Sequence, residues 1–430
     1  MVTGPGNMGL SSTTSYKVVI PFYIYAALSF FVACILLVIS IPGFTTNYFQ
    51  PNTLAITHTM ALGWGTMIIL GASHQLVPVM IENKLYSNFL AWCSFIFAAI
   101  GIPLLIYGFL VFNMGWPAQW GAHFIVSAII VYCINLAISM AKSKHENVHA
   151  FFVLTATLWL LATTIIGLLL VYNFTKPFLS ENSITYLPMH AHIGIVGWFL
   201  LLVMGVGSRL IPMFLISKYH HTKKLWWIYV CINAGLIIFI ADFIYLQISW
   251  LYLLTYALIV MAILLFANFC YHAYKERIRK KVDEPMKVSL LSVIMMLLPL
   301  LFLCIIIILL LSQSTENIAL IISYGFIIFF GWITAIILGM TFKTLPFIVW
   351  NKVYHHLAGK QKTPNPKDLF NITLFKWMAI FYILGFIIFL LGVFMNQYFI
   401  LQTGAVFLLV TSILYNLNVF KLLTHKPTKE

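Results

Sequence analysis

Twelve unbroken apolar runs dominate the sequence, at about 17–42, 52–81, 87–112, 119–141, 149–173, 185–216, 223–246, 248–273, 287–312, 317–350, 371–395 and 397–421. Each exceeds the roughly 20 residues that carry a helix across a bilayer core. A backbone in hydrocarbon must satisfy its N–H and C=O groups internally, so runs of this kind form helices and not open sheets. Only 8% of residues are charged, which excludes a soluble globular domain, where about a quarter are. No connecting stretch is long enough for a soluble domain. The reading is an all-α membrane protein with one twelve-helix transmembrane domain over residues 17–421, a polar tail at 1–16 and a second tail at 422–430. The first tail, MVTGPGNMGLSSTTSY, lacks the basic-then-apolar pattern of a signal peptide.

A net charge of +14 would suggest nucleic acid as the partner of a soluble protein, but here its distribution decides. With the helices threaded alternately, 23 of the 24 Lys and Arg residues fall on one side and only Lys176 falls on the other. The positive-inside rule then puts both termini in the cytoplasm, as expected in a bacterial inner membrane. Lipid is the partner this implies, and nucleic acid is excluded. The cysteines Cys34, Cys93, Cys133, Cys231, Cys270 and Cys304 stand singly inside spans. Without CxxC or CxxCH they read as small packing residues, not as zinc ligands or covalent haem attachments.

Three segments align without gaps: His58 to Pro78, His192 to Pro212 and Phe326 to Pro346. Gly63-Trp64, Gly197-Trp198 and Gly331-Trp332 are spaced by 134 residues, as are Gly71, Gly205 and Gly339 and the three prolines. Each period holds four spans, an even number, so the units share one orientation and are related by rotation about the membrane normal. Three repeats, about 17–141, 149–273 and 287–421, then make a pseudo-threefold ring. The Gly-Trp, Gly and Pro columns need no chemistry. Glycine permits close helix approach, and proline near the cytoplasmic end loosens the last turn.

The histidines divide into two sets. His145, His149, His220, His221, His272, His355, His356 and His425, with His74 at the deep end of the second span, belong to the cytoplasmic side or near that edge, and the paired ones read as solvated loop residues. His74 lies about 24 Å down its helix from His58 and cannot share a site with it. His58, His123, His190 and His192 all lie near the outer starts of even-numbered spans, at one level. Imidazoles at a common depth in hydrocarbon are costly unless paired or metal-bound. His58 and His192 share a repeat column, while His190, about 200° around the helix from His192, points the other way. One orientation collects His58, His190 and His123 in a single pore and leaves His192 facing the next; the opposite one turns His58 toward the pore of Phe326. Imidazoles without thiolate or carboxylate neighbours suit haem iron, copper or zinc, and a bis-histidine haem between the second and sixth spans is the favoured geometry. Gly63, Gly65, Gly194 and Gly197 either make room for a macrocycle or serve helix packing. Asp242, with Tyr245 close by, is either a proton or ligand site or a helix-end hydrogen bonder. Arg209 and Lys343 either hold an anionic group or snorkel to the cytoplasmic surface.

The stretch His190-Ala191-His192-IGIVGW and the segment THTMALGWG around His58 resemble ligand-bearing helices of haem-copper oxidase subunit I, especially the cbb-type oxidases and nitric oxide reductases. NnrS-type haem and copper membrane proteins are a second similar family. The resemblance implies a twelve-helix pseudo-threefold subunit binding b-type haem, possibly with copper, through His58, His190, His192 and His123. It implies electron transport or handling of nitric oxide or oxygen, with a respiratory electron-donor partner. In those families the paired histidines lie on the tenth span and copper histidines on the sixth and seventh; here the tenth carries Phe326 and the seventh none, so a standard oxygen-reducing centre is not expected. A metal or haem transporter, or a non-catalytic assembly subunit, is the alternative. A transporter of two six-helix halves would repeat at about 200 residues, against the 134 observed.

Overall fold

The computed structural model describes residues 14–143, 147–313, 317–358 and 362–427. His145 and most of the first tail lie outside these. Among the described residues, twelve helices are long and apolar enough to cross a membrane: α1 Tyr16–Ser40, α2 Pro51–Met80, α3 Asn88–Leu110, α4 Trp116–Ala141, α5 Val148–Thr175, α6 Leu187–Leu215, α7 Thr222–Leu246, α8 Leu251–Lys275, α9 Glu284–Leu311, α10 Ile318–Leu357, α11 Ile372–Met395 and α12 Tyr398–Leu423. No strand occurs among the described residues, only an isolated bridge between Ser217 and Arg277. These are the twelve spans read from the sequence. The main departure is α10, which runs on to Leu357, beyond the apolar stretch that ends near residue 350. Large apolar side chains such as Ile39, Ile294 and Leu301 are exposed, as expected of helices that face acyl chains.

The chain divides into two compact units. Unit 1 comprises the chain up to Phe22 with Ile69–Arg277, and unit 2 comprises Tyr23–Ile68 with Ile278 onward. Each is built around helix pairs that glycine brings close. In unit 1, a Cβ on Gly121 of α4 would lie 2.5 Å from the Leu105 nitrogen of α3, and one on Gly101 would lie 2.8 Å from the Gly121 carbonyl. In unit 2, Gly404 of α12 stands equally close to the Phe389 nitrogen of α11. Both hairpins are locked at the other end by one asparagine that replaces a missing backbone partner. Asn135 accepts from the Ser87 N–H and donates to the Ser87 carbonyl, and Asn418 does the same with Asn371.

The 134-residue period is visible in local conformation. α2, α6 and α10 each widen into a π-helical stretch, at Thr59–Thr66, Ile193–Leu200 and Ile327–Ile333, just after the column of His58, His192 and Phe326. Wide turns of this type accompany functional sites often enough to mark the level at which this one is sought. Near the opposite end, the Pro78 carbonyl accepts from Asn83 N and the Pro212 carbonyl from Ser217 N. Glu82 and Ile216, at equivalent positions, both take the left-handed conformation with φ of 52°. That is the Schellman way of ending a helix, carried out without glycine.

The repeat glycines are packing positions. Those of α6 meet α5, where a Cβ on Gly197 would come within 2.7 Å of Trp159 and one on Gly205 would overlap Phe152. Gly194 likewise faces Thr163 of α5. Packing against α5 thus involves both Gly194 and Gly197. The tryptophans of the same repeat, Trp64, Trp198 and Trp332, are all buried. Trp64 stacks on Phe30 and donates to Thr334 within unit 2.

Candidate functional site

His58 stands on the second turn of α2, in unit 2. Its Nδ1 lies 2.8 Å from the Leu54 carbonyl, four residues back. His192, its repeat equivalent in unit 1, places Nδ1 2.7 Å from the Pro188 carbonyl, again four residues back. A carbonyl can only accept, so Nδ1 carries the proton in both neutral rings and Nε2 carries the lone pair. A histidine that binds metal is commonly held in this way, with one nitrogen donating to a carbonyl so that the other is presented in a fixed direction. Both side chains are half-buried, and each is followed immediately by a wide turn.

The third repeat has no such group. Phe326 is buried and stacks on Phe389 at 4.4 Å, with Phe330 and Phe386 parallel to it. Aromatic packing fills the column that carries imidazole in the other two repeats.

His190 and His192 face opposite sides of α6, as a two-residue spacing requires. The His190 ring lies over Gly167 of α5, where a Cβ would come within 3.0 Å of Cε1. His192 turns toward α7 and meets the Phe239 ring edge-on at 5.6 Å. His123 of α4 also reaches α5. Its Nε2 lies 2.9 Å from the Tyr172 hydroxyl, beside the Trp120 ring. His123 is exposed and His190 half-buried, and they address α5 at residues 172 and 167. Within neither unit do three or more described His, Cys, Asp or Glu side chains form a group fit to hold a metal ion.

Two histidines assigned to the cytoplasmic side prove to be buried. His74 is wholly enclosed, held between the rings of Phe22 and Tyr132, and neither ring nitrogen has a well-formed hydrogen bond among the described residues. His149 joins α5 to α6 through the Gly205 carbonyl at 2.9 Å and the Ser208 hydroxyl at 3.0 Å. The available signal was the repeat column. His149 aligns with Asp283, and both tie the start of one span to the span that follows. The paired histidines His220, His221, His355 and His356 are exposed, as read.

Asp242 occupies the column that holds Gly108 in the first repeat, 134 residues earlier. There it accepts from the Ile248 N–H at 2.7 Å and closes the turn into α8, so the helix-end reading holds for one of its oxygens. Tyr245 is fully outside. Lys343 does not snorkel. Its side chain is nearly buried and its Nζ lies 2.7 Å from Asp283 Oδ2, which also meets Arg279. Asp283→Asn keeps the cap that this side chain makes on Met286 N but removes its charge. We expect the substitution to cost about 3 kcal/mol, and Lys343→Met in the same chain to recover most of it, read as unfolding midpoints in detergent.

Just beyond α12, His425 Nε2 lies 2.8 Å from the Tyr354 hydroxyl, and burial pushes this imidazole below the ordinary histidine range. A lowered value means that the folded state holds fewer protons than the unfolded one. Burial of the neutral ring therefore stabilises the fold fully above the ordinary histidine value, and this contribution is lost as the pH falls from that value through the lowered one. Acidification is expected to lower the thermal midpoint of the wild type more than that of His425→Phe.

No protein-family model matches the chain, and no curated protein sequence matches it.

Proposed function

We propose that this chain is a haem-binding membrane protein of the bacterial inner membrane, related to haem-copper oxidase subunit I, that acts in electron transfer or in handling nitric oxide or oxygen. In this reading its three repeats form a pseudo-threefold ring, both termini are cytoplasmic, and a standard oxygen-reducing centre is lacking. The observation that carries the reading is the shared state of His58 and His192. Two imidazoles in one repeat column have their Nδ1 protons committed to backbone carbonyls, which makes Nε2 the ligating nitrogen.

The residues fit b-type haem. Neutral imidazole is an axial ligand for its iron. His58 in unit 2, and His190 with His123 in unit 1, would each offer an imidazole to such a group. His192, on the other side of α6, would serve a second haem or a copper ion. Bound there, haem supplies one-electron chemistry and an axial position for a diatomic gas. The chain's own part is to fix each ring's tautomer, to widen the helix beside it and to keep water out with aromatic packing. The Phe326 stack closes the corresponding place in the third repeat. A respiratory electron donor is the partner that such a site requires.

Metal analysis and a pyridine haemochrome spectrum on one purified sample test this directly. Iron and protohaem near one per chain are expected. Colourless, iron-free protein from haem-replete cells would overturn it and return the transporter and assembly readings to the front.

A further inference from the structure

Unit 1 ends, on the side where positive charge concentrates, in a group of cations without anionic partners. The Ser217–Arg277 bridge ties the loop after α6 to the end of α8, so Lys218, Lys223 and Lys224 come from one strand of the chain and Lys275 and Arg277 from the other. None of the five has a carboxylate within ion-pairing distance among the described residues, although Glu276 stands between the last two. In unit 2, Arg279 and Lys343 share Asp283, and Lys287 pairs with Glu284.

The charges in unit 1 are held by neutral groups instead. Lys224 Nζ donates to Asn268 Oδ1 at 2.6 Å and to the Tyr219 hydroxyl at 2.9 Å. The Arg277 guanidinium lies 3.9 Å over the Tyr274 ring and donates through Nη1 to the Tyr274 carbonyl, while its Nε is buried with no partner among the described residues. Amides, hydroxyls and ring faces fix the positions of these cations and leave their charge in place. The exposed rings of Trp226, Trp227, Tyr271 and Tyr274 lie at the same end. Exposed aromatic side chains of this kind gather at the depth of lipid headgroups.

We propose that this end of unit 1 binds the phosphate headgroup of an anionic phospholipid. Its chemistry is independent of the haem reading, since none of these residues belongs to that site. The full-length chain is reconstituted in vesicles of phosphatidylcholine containing phosphatidylglycerol, and spin-labelled forms of each lipid report its association with the protein. Phosphatidylglycerol is expected to associate more strongly. Replacing Lys218, Lys224 and Arg277 together by Gln should weaken that preference about fivefold per charge, roughly a hundredfold in all. Lys218→Arg with Lys224→Arg should keep it, as should Lys176→Gln on the opposite side. Equal association of the two lipids with the wild type would overturn the proposal, and this arm needs no variant. So would complete displacement of phosphatidylglycerol by inorganic phosphate, which would assign the site to a soluble anion, and so would a triple variant that keeps the full preference.

Discussion

His58→Ala protein is expected to retain less than about a tenth of the wild-type haem, on the ground that loss even of an outer-shell partner commonly weakens a metal site ten- to a hundredfold. The side chain is half-buried and its ring is anchored to its own helix through the Leu54 carbonyl. Its removal should therefore leave the unfolding midpoint almost unchanged while the Soret absorbance disappears. His123→Ala is the contrasting substitution. That ring is exposed and bonded to Tyr172, so its loss should shift the spectrum by less and leave most of the haem in place. Added imidazole should partly restore the band in the His58 variant, which a protein that had merely lost its fold would not allow. Full haem retention in His58→Ala would remove that residue from the site.

Gly121→Ala is expected to be among the most damaging single-methyl additions in the molecule. The new Cβ would fall 2.5 Å from the Leu105 nitrogen, 2.8 Å from its Cα and 2.9 Å from the Gly101 carbonyl. All three are backbone atoms, so no rotamer change relieves the contact and α3 must move from α4. Overpacking costs about 1–3 kcal/mol where side chains can adjust; here the upper end or beyond is expected. Gly404→Ala meets the same situation against Phe389 in unit 2. Gly325→Ala is the control, since nothing stands within 4 Å of its Cβ. Thermal unfolding in one detergent should leave this control near the wild type and place both hairpin variants well below it. A Gly121 variant as stable as the control would show that the two helices are held chiefly by something other than close backbone approach.

The spans were legible because hydrocarbon leaves the backbone a single solution, and apolar length reports it directly. The period was legible for a different reason: its glycines, tryptophans and prolines do the same packing work in successive repeats, as Gly197 and Gly205 against α5 show. The widened turns were not. Nothing in TMALGWGT distinguishes an i→i+5 ladder from an ordinary helix, because the difference lies in backbone phase and not in side-chain type. The opposed faces of His190 and His192 followed from helical geometry alone. The burial of His74 and His149 did not, because charge counting assigns residues near a boundary to water and cannot see that Phe22 and Tyr132 close over one of them. Lys343 misleads in the same way. Its position promised an extended side chain, whereas Asp283, 60 positions away, holds it inward.

The wide turns in α2, α6 and α10 set an azimuth. Each separates the end of its helix where an imidazole or phenyl ring stands from the part that carries the repeat proline. Every residue in an ordinary helix advances the direction of the next by about 100°. Excising one position from Thr59–Thr66 would thus swing the His58 ring by more than a quarter turn relative to everything below it, with hydropathy and length almost untouched. The aim of the histidine is in this sense stored several residues away from it, in the pitch of the backbone.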